Sequence, residues 1–146
     1  MRVSVIGGSS IESGHRSVAE SLGRELATRG HTIVCGGLTG VMEAVCSGAK
    51  EAGGTTIGIL PGLDVAAANP YVDIPIVTGI GDARNALVVQ NGDGAIAIDG
   101  AYGTLSEIAL ALNADRPVVG LDTHKVSGVV HVSTPAEAVS QLESLV

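Results

Sequence analysis

The chain has 146 residues, of which 45% are hydrophobic and 21 are glycine, and its only aromatic residues are two tyrosines. Its formal net charge of −7 argues against a nucleic-acid partner, because binding a polyanion requires basic side chains. No apolar run approaches the length of a membrane span, and the first residues are typical of a strand rather than a signal peptide. We therefore expect a cytoplasmic protein with no membrane partner and an aliphatic core.

Segments typical of strands and of helices alternate along the whole chain. The first six are strand 2–6, helix 17–30, strand 31–35, helix 41–53, strand 55–60 and strand 74–79. The later six are helix 82–91, strand 94–99, helix 105–112, strand 116–122, strand 127–133 and helix 134–145. This order predicts a single α/β domain over residues 1–146, with a Rossmann-like, doubly wound, mostly parallel sheet and helices on both faces.

Three glycine-rich turns follow predicted strands, at residues 7–10, 36–40 and 100–104. The carboxyl ends of parallel strands share one edge of a sheet, which is where ligands bind in such folds. The first turn of a helix also carries unpaired N–H groups that attract anions, and glycine lets a ligand approach them closely. A serine stands where the dinucleotide-binding pattern needs its second glycine, which argues against NAD. The three turns together predict a site for an anion or a nucleotide.

The segment 100–112, GAYGTLSEIALAL, has two interpretations. In the first, Thr104 is the N-cap of a helix and Glu107 completes a capping box three residues later. In the second, the turn cradles a phosphate and Glu107 is a catalytic carboxylate beside it. Thr134 and Glu137 repeat the Thr-x-x-Glu spacing without a glycine-rich turn, so we interpret that pair as structural. The residues of the segment leave both interpretations of Glu107 open.

Arg84 is the basic residue that favours the second interpretation. It lies near the start of the helix after the fourth predicted strand, whereas Glu107 lies near the start of the helix after the fifth. If those strands are neighbours, the guanidinium and the carboxylate lie over the same edge and hold a sugar phosphate from two sides. The alternative is an arginine on the helix surface that pairs with Asp82 or Glu107.

The cysteines and histidines indicate neither a disulfide framework nor a metal centre. Cys35 and Cys46 are too few for such a framework and lie in apolar elements, so we expect small buried side chains in a reducing compartment. His124 and His131 lack the spacing of metal ligands, so no metal site is expected.

Several motifs resemble those of the LOG-like (SLOG) Rossmann superfamily, and most closely its branch that includes molybdenum cofactor carrier proteins. These motifs are Gly-Gly-x-x-Gly-x-Met (36–42), Pro-Gly (61–62), Ala-Asn-Pro-Tyr (68–71), Thr-Gly-x-Gly-x-Ala-Arg-Asn (78–85) and Gly-Thr-Leu-Ser-Glu (103–107). The resemblance covers nearly the whole chain. Some members have been labelled lysine decarboxylases, but no residue of this chain supports that chemistry.

In cytokinin-activating members, a Pro-Gly-Gly-x-Gly-Thr-x-x-Glu motif binds the nucleotide phosphate and supplies a catalytic glutamate, and an arginine on the preceding helix assists. The resemblance implies these roles for Gly100, Gly103, Thr104, Glu107 and Arg84. The implied reaction is hydrolysis of a nucleoside 5′-monophosphate to free base and ribose 5-phosphate. This chain departs from the motif, with aspartate at position 99 instead of proline and alanine at 101 instead of the second glycine.

The candidate catalytic residues are therefore Arg84 and Glu107. The candidate ligand-binding residues are Gly8, Ser9, Gly36, Gly37, Gly40, Met42, Asn85, Gly100, Tyr102, Gly103 and Thr104. Two functions remain open: hydrolysis of a nucleoside monophosphate, and non-catalytic carriage or sensing of a phosphorylated ligand such as molybdenum cofactor. A nucleotide or a molybdopterin-type molecule is the expected ligand, and no cofactor is required. The apolar helix 105–112, and the association of family members through such helices, predict a homodimer or homotetramer.

Overall fold

A computed structural model describes all 146 residues of the chain. The strands are β1 (Arg2–Gly7), β2 (Thr32–Cys35), β3 (Thr56–Leu60), β4 (Ile74–Val77), β5 (Gly94–Asp99), β6 (Val118–Thr123) and β7 (Val129–Val132). The α-helices are α1 (Ser13–Thr28), α2 (Val41–Glu51), α3 (Arg84–Gln90), α4 (Tyr102–Asn113) and α5 (Pro135–Leu145). Short 3-10 turns occur at Val65–Ala67 and Gly81–Ala83. None of the helices combines the length and the apolar character needed to cross a membrane.

The seven strands form one sheet in the order β4-β3-β2-β1-β5-β6-β7. Every neighbouring pair is parallel, so the predicted Rossmann-like fold is confirmed and the sheet is parallel throughout. The chain winds outward from β1 to β4, then returns to the other side of β1 and continues to β7. The direction therefore reverses between β1 and β5, and a crevice beyond the carboxyl ends of these two strands is the expected ligand site.

Helices cover both faces of the sheet, as the alternating pattern predicts. On one face, α1, α2 and α5 bury aliphatic side chains such as Leu22, Val45 and Leu142 against the strands. On the other face, α3 and α4 contribute Val88 and Ile108 to a smaller core. The β-branched residues of the central strands are buried because both of their faces are covered.

The structure differs from the predicted bounds mainly where helices begin. Helix α1 begins at Ser13, four residues earlier than predicted, because its first turn is polar and exposed and carries no apolar periodicity. Helix α4 begins at Tyr102, three residues earlier than predicted. The predicted helix 82–91 is a 3-10 turn followed by the short helix α3.

Candidate functional site

A cavity of about 480 Å³ lies where the winding direction of the sheet reverses. The turns after β1 and β5 form one side of it, and residues from the starts of α2, α3 and α4 form the rest. Its lining residues are Gly7, Gly8, Ser9, Leu38, Met42, Asp82, Arg84, Asn85, Ala101, Tyr102, Gly103, Thr104, Ser106 and Glu107. Arg84 is the only basic residue among them, so an anion in this cavity depends largely on backbone N–H groups.

The first turn of α4 supplies such N–H groups. Ala101 is the N-cap residue and its side chain makes no capping hydrogen bond. The first hydrogen bond of the helix runs from the Leu105 N–H to the Ala101 carbonyl at 3.0 Å, and no acceptor in the chain pairs with the N–H groups of Tyr102, Gly103 or Thr104. These three residues line the cavity, so the positive end of the helix dipole borders it.

The interpretation of Thr104 and Glu107 as a capping box is wrong. Thr104 lies inside the first turn of α4 rather than at its N-cap, and its buried side chain packs against Gly100. By contrast, the capping box at Thr134 and Glu137 is confirmed: the Glu137 N–H donates to Thr134 Oγ1, and Glu137 Oε2 accepts from the Thr134 N–H, both at 3.2 Å. Glu107 is therefore free of the structural role that its spacing suggested.

The Glu107 side chain is buried, only 7% exposed, and lines the cavity without forming a hydrogen bond within the chain. Burial penalises the charged carboxylate and raises the pKa of Glu107 to about 7, although the positive charge of Arg84 acts in the opposite direction. A carboxyl group with this pKa gains and loses a proton near neutral pH, which is the property required of a general acid or base.

Arg84 is also only 7% exposed, so the interpretation as a helix-surface residue is wrong. Its Nε donates to the Ile59 carbonyl at 2.8 Å, one terminal nitrogen donates to the Gly36 carbonyl at 3.4 Å, and the other donates to the Asn85 side chain. Two of its five N–H donors remain for a ligand. The guanidinium thus ties the ends of β2 and β3 to the start of α3 at the base of the cavity.

Arg84 and Glu107 reach the same cavity by a different route from the one predicted. Strands β4 and β5 are not neighbours, because β3, β2 and β1 lie between them. The two residues come together because α3 crosses back over the sheet and packs against α4. They form no ion pair, and three of the Arg84 donors instead bond to the carbonyls of Ile59 and Gly36 and to the Asn85 side chain.

Most of the predicted ligand-binding residues line the cavity, and four glycines lie behind it. Those that line it are Gly8, Ser9, Met42, Asn85, Tyr102, Gly103 and Thr104. Those that do not line it are Gly36, Gly37, Gly40 and Gly100. Each of these four packs closely, so that a methyl group in place of the hydrogen would collide with its neighbours: Gly36 with Arg84 and Met42, Gly40 with the backbone of Gly8 and Ser9.

Five lining residues were not among the predicted binding residues: Gly7, Leu38, Asp82, Ala101 and Ser106. Gly7, Leu38 and Ala101 lie within the three recognised glycine-rich turns, at 7–10, 36–40 and 100–104, but were not named as binding residues. Asp82 and Ser106 lie outside those turns, and their place in the cavity depends on how α3 and α4 pack. No group of three or more His, Cys, Asp or Glu side chains is arranged to hold a metal ion.

Known proteins similar to this chain include molybdenum cofactor carrier or binding proteins and phosphoribohydrolases. The molybdenum cofactor binding protein of Rippkaea orientalis is 36% identical, with a TM-score of 0.93 over 99% of this chain and 96% of its own. The molybdenum cofactor carrier protein of Chlamydomonas reinhardtii is 36% identical, with a TM-score of 0.91 over the same shares of the two chains. The cytokinin riboside 5′-monophosphate phosphoribohydrolase of Mycobacterium tuberculosis is 33% identical over 72% of this chain, which spans 61% of that enzyme.

An uncharacterised protein of Archaeoglobus fulgidus is 40% identical over 96% of this chain and 93% of its own length. The model of the SLOG cluster4 family matches residues 1–145. The match covers every element that builds the cavity, from β1 to α4. The chain belongs to the SLOG cluster4 family.

Proposed function

We propose that the cavity binds a phosphorylated small molecule, with its phosphate against the first turn of α4. The observation that carries this proposal is the set of three unpaired N–H groups, of Tyr102, Gly103 and Thr104, that border a cavity containing a buried, unpartnered carboxyl group. A hydrogen bond to a charged group contributes about 1.5–3 kcal/mol net, so these groups account for much of a micromolar affinity of about 8 kcal/mol.

The chemistry that we propose at this site is hydrolysis of the N-glycosidic bond of a nucleoside 5′-monophosphate. Water adds to the anomeric carbon, the bond to the base breaks, and the products are free base and ribose 5-phosphate. Glu107 has a pKa of about 7 and lies in the cavity beside the proposed phosphate position. As a carboxylate it takes the proton of the attacking water and stabilises the positive charge that develops on the sugar.

The test of hydrolysis is incubation of the purified protein with a panel of nucleoside 5′-monophosphates and chromatographic measurement of the released base. We expect release from at least one of them, and a rate lower by about 100-fold or more in Glu107→Gln, because general acid–base catalysis contributes about that much. The exposed Glu12 provides the matched control, Glu12→Gln, which retains the wild-type rate. Equal rates in wild type and Glu107→Gln would contradict the catalytic role.

A second candidate function is non-catalytic carriage of a molybdopterin-type phosphate. It is favoured by the solved structures: the carrier and binding proteins of molybdenum cofactor superimpose on 99% of this chain at 36% identity. Asp99 and Ala101, which depart from the hydrolase motif, also favour carriage over hydrolysis. Binding of a phosphorylated pterin without release of base from any nucleotide would support carriage. In that case Glu107 would hold a donor group of the ligand rather than transfer a proton.

A further inference from the structure

The two cysteines of the chain are in contact behind the wall of the cavity. Cys35 is the last residue of β2 and Cys46 lies in the middle of α2, and their sulfur atoms are 3.6 Å apart. Both side chains are fully buried, as the sequence predicts. The contact between them was not predictable, because it depends on how α2 packs against the end of β2.

The two thiols have different surroundings. The Gly37 N–H donates to Cys35 Sγ at 3.4 Å, and the Cys46 thiol lies within donating distance of the same sulfur. The hydrogen bond from Cys46 lowers the pKa of Cys35, while the same contact raises the pKa of Cys46. Cys35 is therefore the sulfur that more readily becomes a thiolate, which is the nucleophilic form.

Two residues link the lining of the cavity to this pair. Met42 lines the cavity and lies one helical turn before Cys46 on α2. Gly36 follows Cys35 directly and is held between Met42 and Arg84. A small neutral molecule that displaces the flexible Met42 side chain would therefore approach Cys35 from the cavity.

We propose that Cys35 and Cys46 are an oxidation site at which a hydroperoxide produces an intramolecular disulfide. The Cys35 thiolate attacks one peroxide oxygen, the O–O bond breaks, and the products are Cys35 sulfenic acid and hydroxide, or alkoxide from an organic peroxide. The Cys46 sulfur then attacks the Cys35 sulfur, and the sulfenic oxygen leaves as water with the Cys46 proton. Closing the gap from 3.6 Å to a bond of about 2 Å requires the two sulfur atoms to approach by roughly 1.6 Å.

The experiment treats the reduced, full-length protein with hydrogen peroxide and measures free thiols and intact mass over time. We expect the wild type to lose both thiols and two hydrogen atoms, and dithiothreitol to restore them. Cys46→Ala keeps the attacking sulfur without its partner, so it stops at a sulfenic acid that a dimedone-type reagent captures. Cys35→Ala lacks the attacking sulfur and reacts more slowly.

Two results would overturn the proposal. The first is persistence of both thiols in folded wild type under conditions in which the urea-unfolded chain is oxidised. The second is oxidation to sulfinic acid at either position without a disulfide. Both results come from the wild type alone, so they stand even if an alanine variant folds poorly.

One consequence rests on the proposed function. If a phosphorylated ligand fills the cavity, saturating AMP should slow the oxidation at least several-fold by closing the path past Met42. A calorimetric titration of the reduced protein with AMP comes first and tests the ligand separately. An unchanged oxidation rate in protein that binds AMP would refute this path. Failure to bind AMP would count against the proposed ligand and leave the disulfide test intact.

Discussion

Glu107 illustrates how one residue's position decides between two functions that share a sequence pattern. Thr-x-x-Glu occurs at 104–107 and at 134–137, and only the second is a capping box. The difference lies in the turn before α4. Asp99 and Gly100 have positive φ angles of 51° and 107° there, and α4 begins at Tyr102. The sequence predicts that Glu107 is important, but the helix start that exposes it to the cavity depends on this backbone turn.

Glu107 should make the stability of the protein depend on pH. Its pKa rises on folding from 4.5 to about 7, so the folded state holds this proton more tightly than the unfolded state. Stability therefore decreases as the pH rises from about 4.5 through 7, by about 3 kcal/mol in total. Glu107→Gln removes this loss, so the variant should be more stable than wild type at pH 8 and similar to it at pH 5.

Urea unfolding of both proteins at the two pH values measures this effect. Glu12→Gln is the control, because Glu12 is exposed and its side chain forms no hydrogen bond. A difference between wild type and Glu107→Gln that is the same at pH 5 and pH 8 would show that the carboxyl group does not titrate in this range.

Arg84 should contribute more to stability than any exposed arginine. Replacing it with glutamine removes the charged donors that pair with the carbonyls of Ile59 and Gly36. We expect a loss of about 2–4 kcal/mol, because buried acceptors then remain unpaired. Arg16 is exposed and forms no ion pair, so Arg16→Gln should change the free energy of unfolding by less than about 0.5 kcal/mol. Equal effects of the two substitutions in urea unfolding would contradict the anchoring role of Arg84.

At the scale of elements, the glycines at the start of α4 have separable roles. A methyl group at Gly103 would meet only the Asn85 side chain, at 3.9 Å, so it fits the fold but enters the cavity. A methyl group at Gly100 would collide with Thr104, and its φ of 107° is unfavourable for alanine. Gly103→Ala should therefore lose ligand affinity at unchanged stability, whereas Gly100→Ala should lose stability.

Thermal unfolding and calorimetric titration with the ligand distinguish the two glycine variants. Undiminished ligand affinity in Gly103→Ala would place the ligand elsewhere than against the first turn of α4. A Gly100→Ala protein as stable as wild type would show that the turn before α4 tolerates a side chain.

The strands were the most predictable elements, and the starts of helices the least. Strands such as β1 and β5 are short aliphatic runs bounded by glycine or aspartate, and their predicted bounds lie within one residue of the observed ones. The glycines of the turn 36–40, which are predicted to bind a ligand, do not line the cavity and pack closely against their neighbours, where a side chain would collide. A glycine pattern therefore predicts that some group packs closely against the backbone, but it does not indicate whether that group is a ligand or another part of the chain.

At the scale of the whole molecule, the order of the strands explains why the site could be only partly predicted. The carboxyl ends of β1 and β5 meet because the winding reverses between them, and the sequence indicates the alternation but not this order. Arg84 and Glu107 line the same cavity, although β4 and β5 are not neighbours and the condition on which the sequence analysis paired the two residues is not met. The two residues come together because α3 crosses over the sheet and packs against α4, not because their strands are adjacent.

The face of the sheet that carries α3 and α4 is incompletely covered. Leu110 of α4 is 38% exposed, and Ile74 and Ile76 of β4 are 47% and 44% exposed. We expect a homodimer or homotetramer that buries part of this face, measured as solution mass by light scattering after size exclusion. Leu110→Arg should lower that mass, because it places a charge in the apolar contact. A wild-type protein that is monomeric at micromolar concentration would contradict the expectation.

The proposed site is defined by where the phosphate of the ligand lies, and a calorimetric comparison of AMP with adenosine tests this position directly. If the first turn of α4 holds the phosphate, adenosine should bind at least about 100-fold more weakly than AMP, since two or more hydrogen bonds to a charged group are lost. Equal affinity for AMP and adenosine would contradict the proposed site.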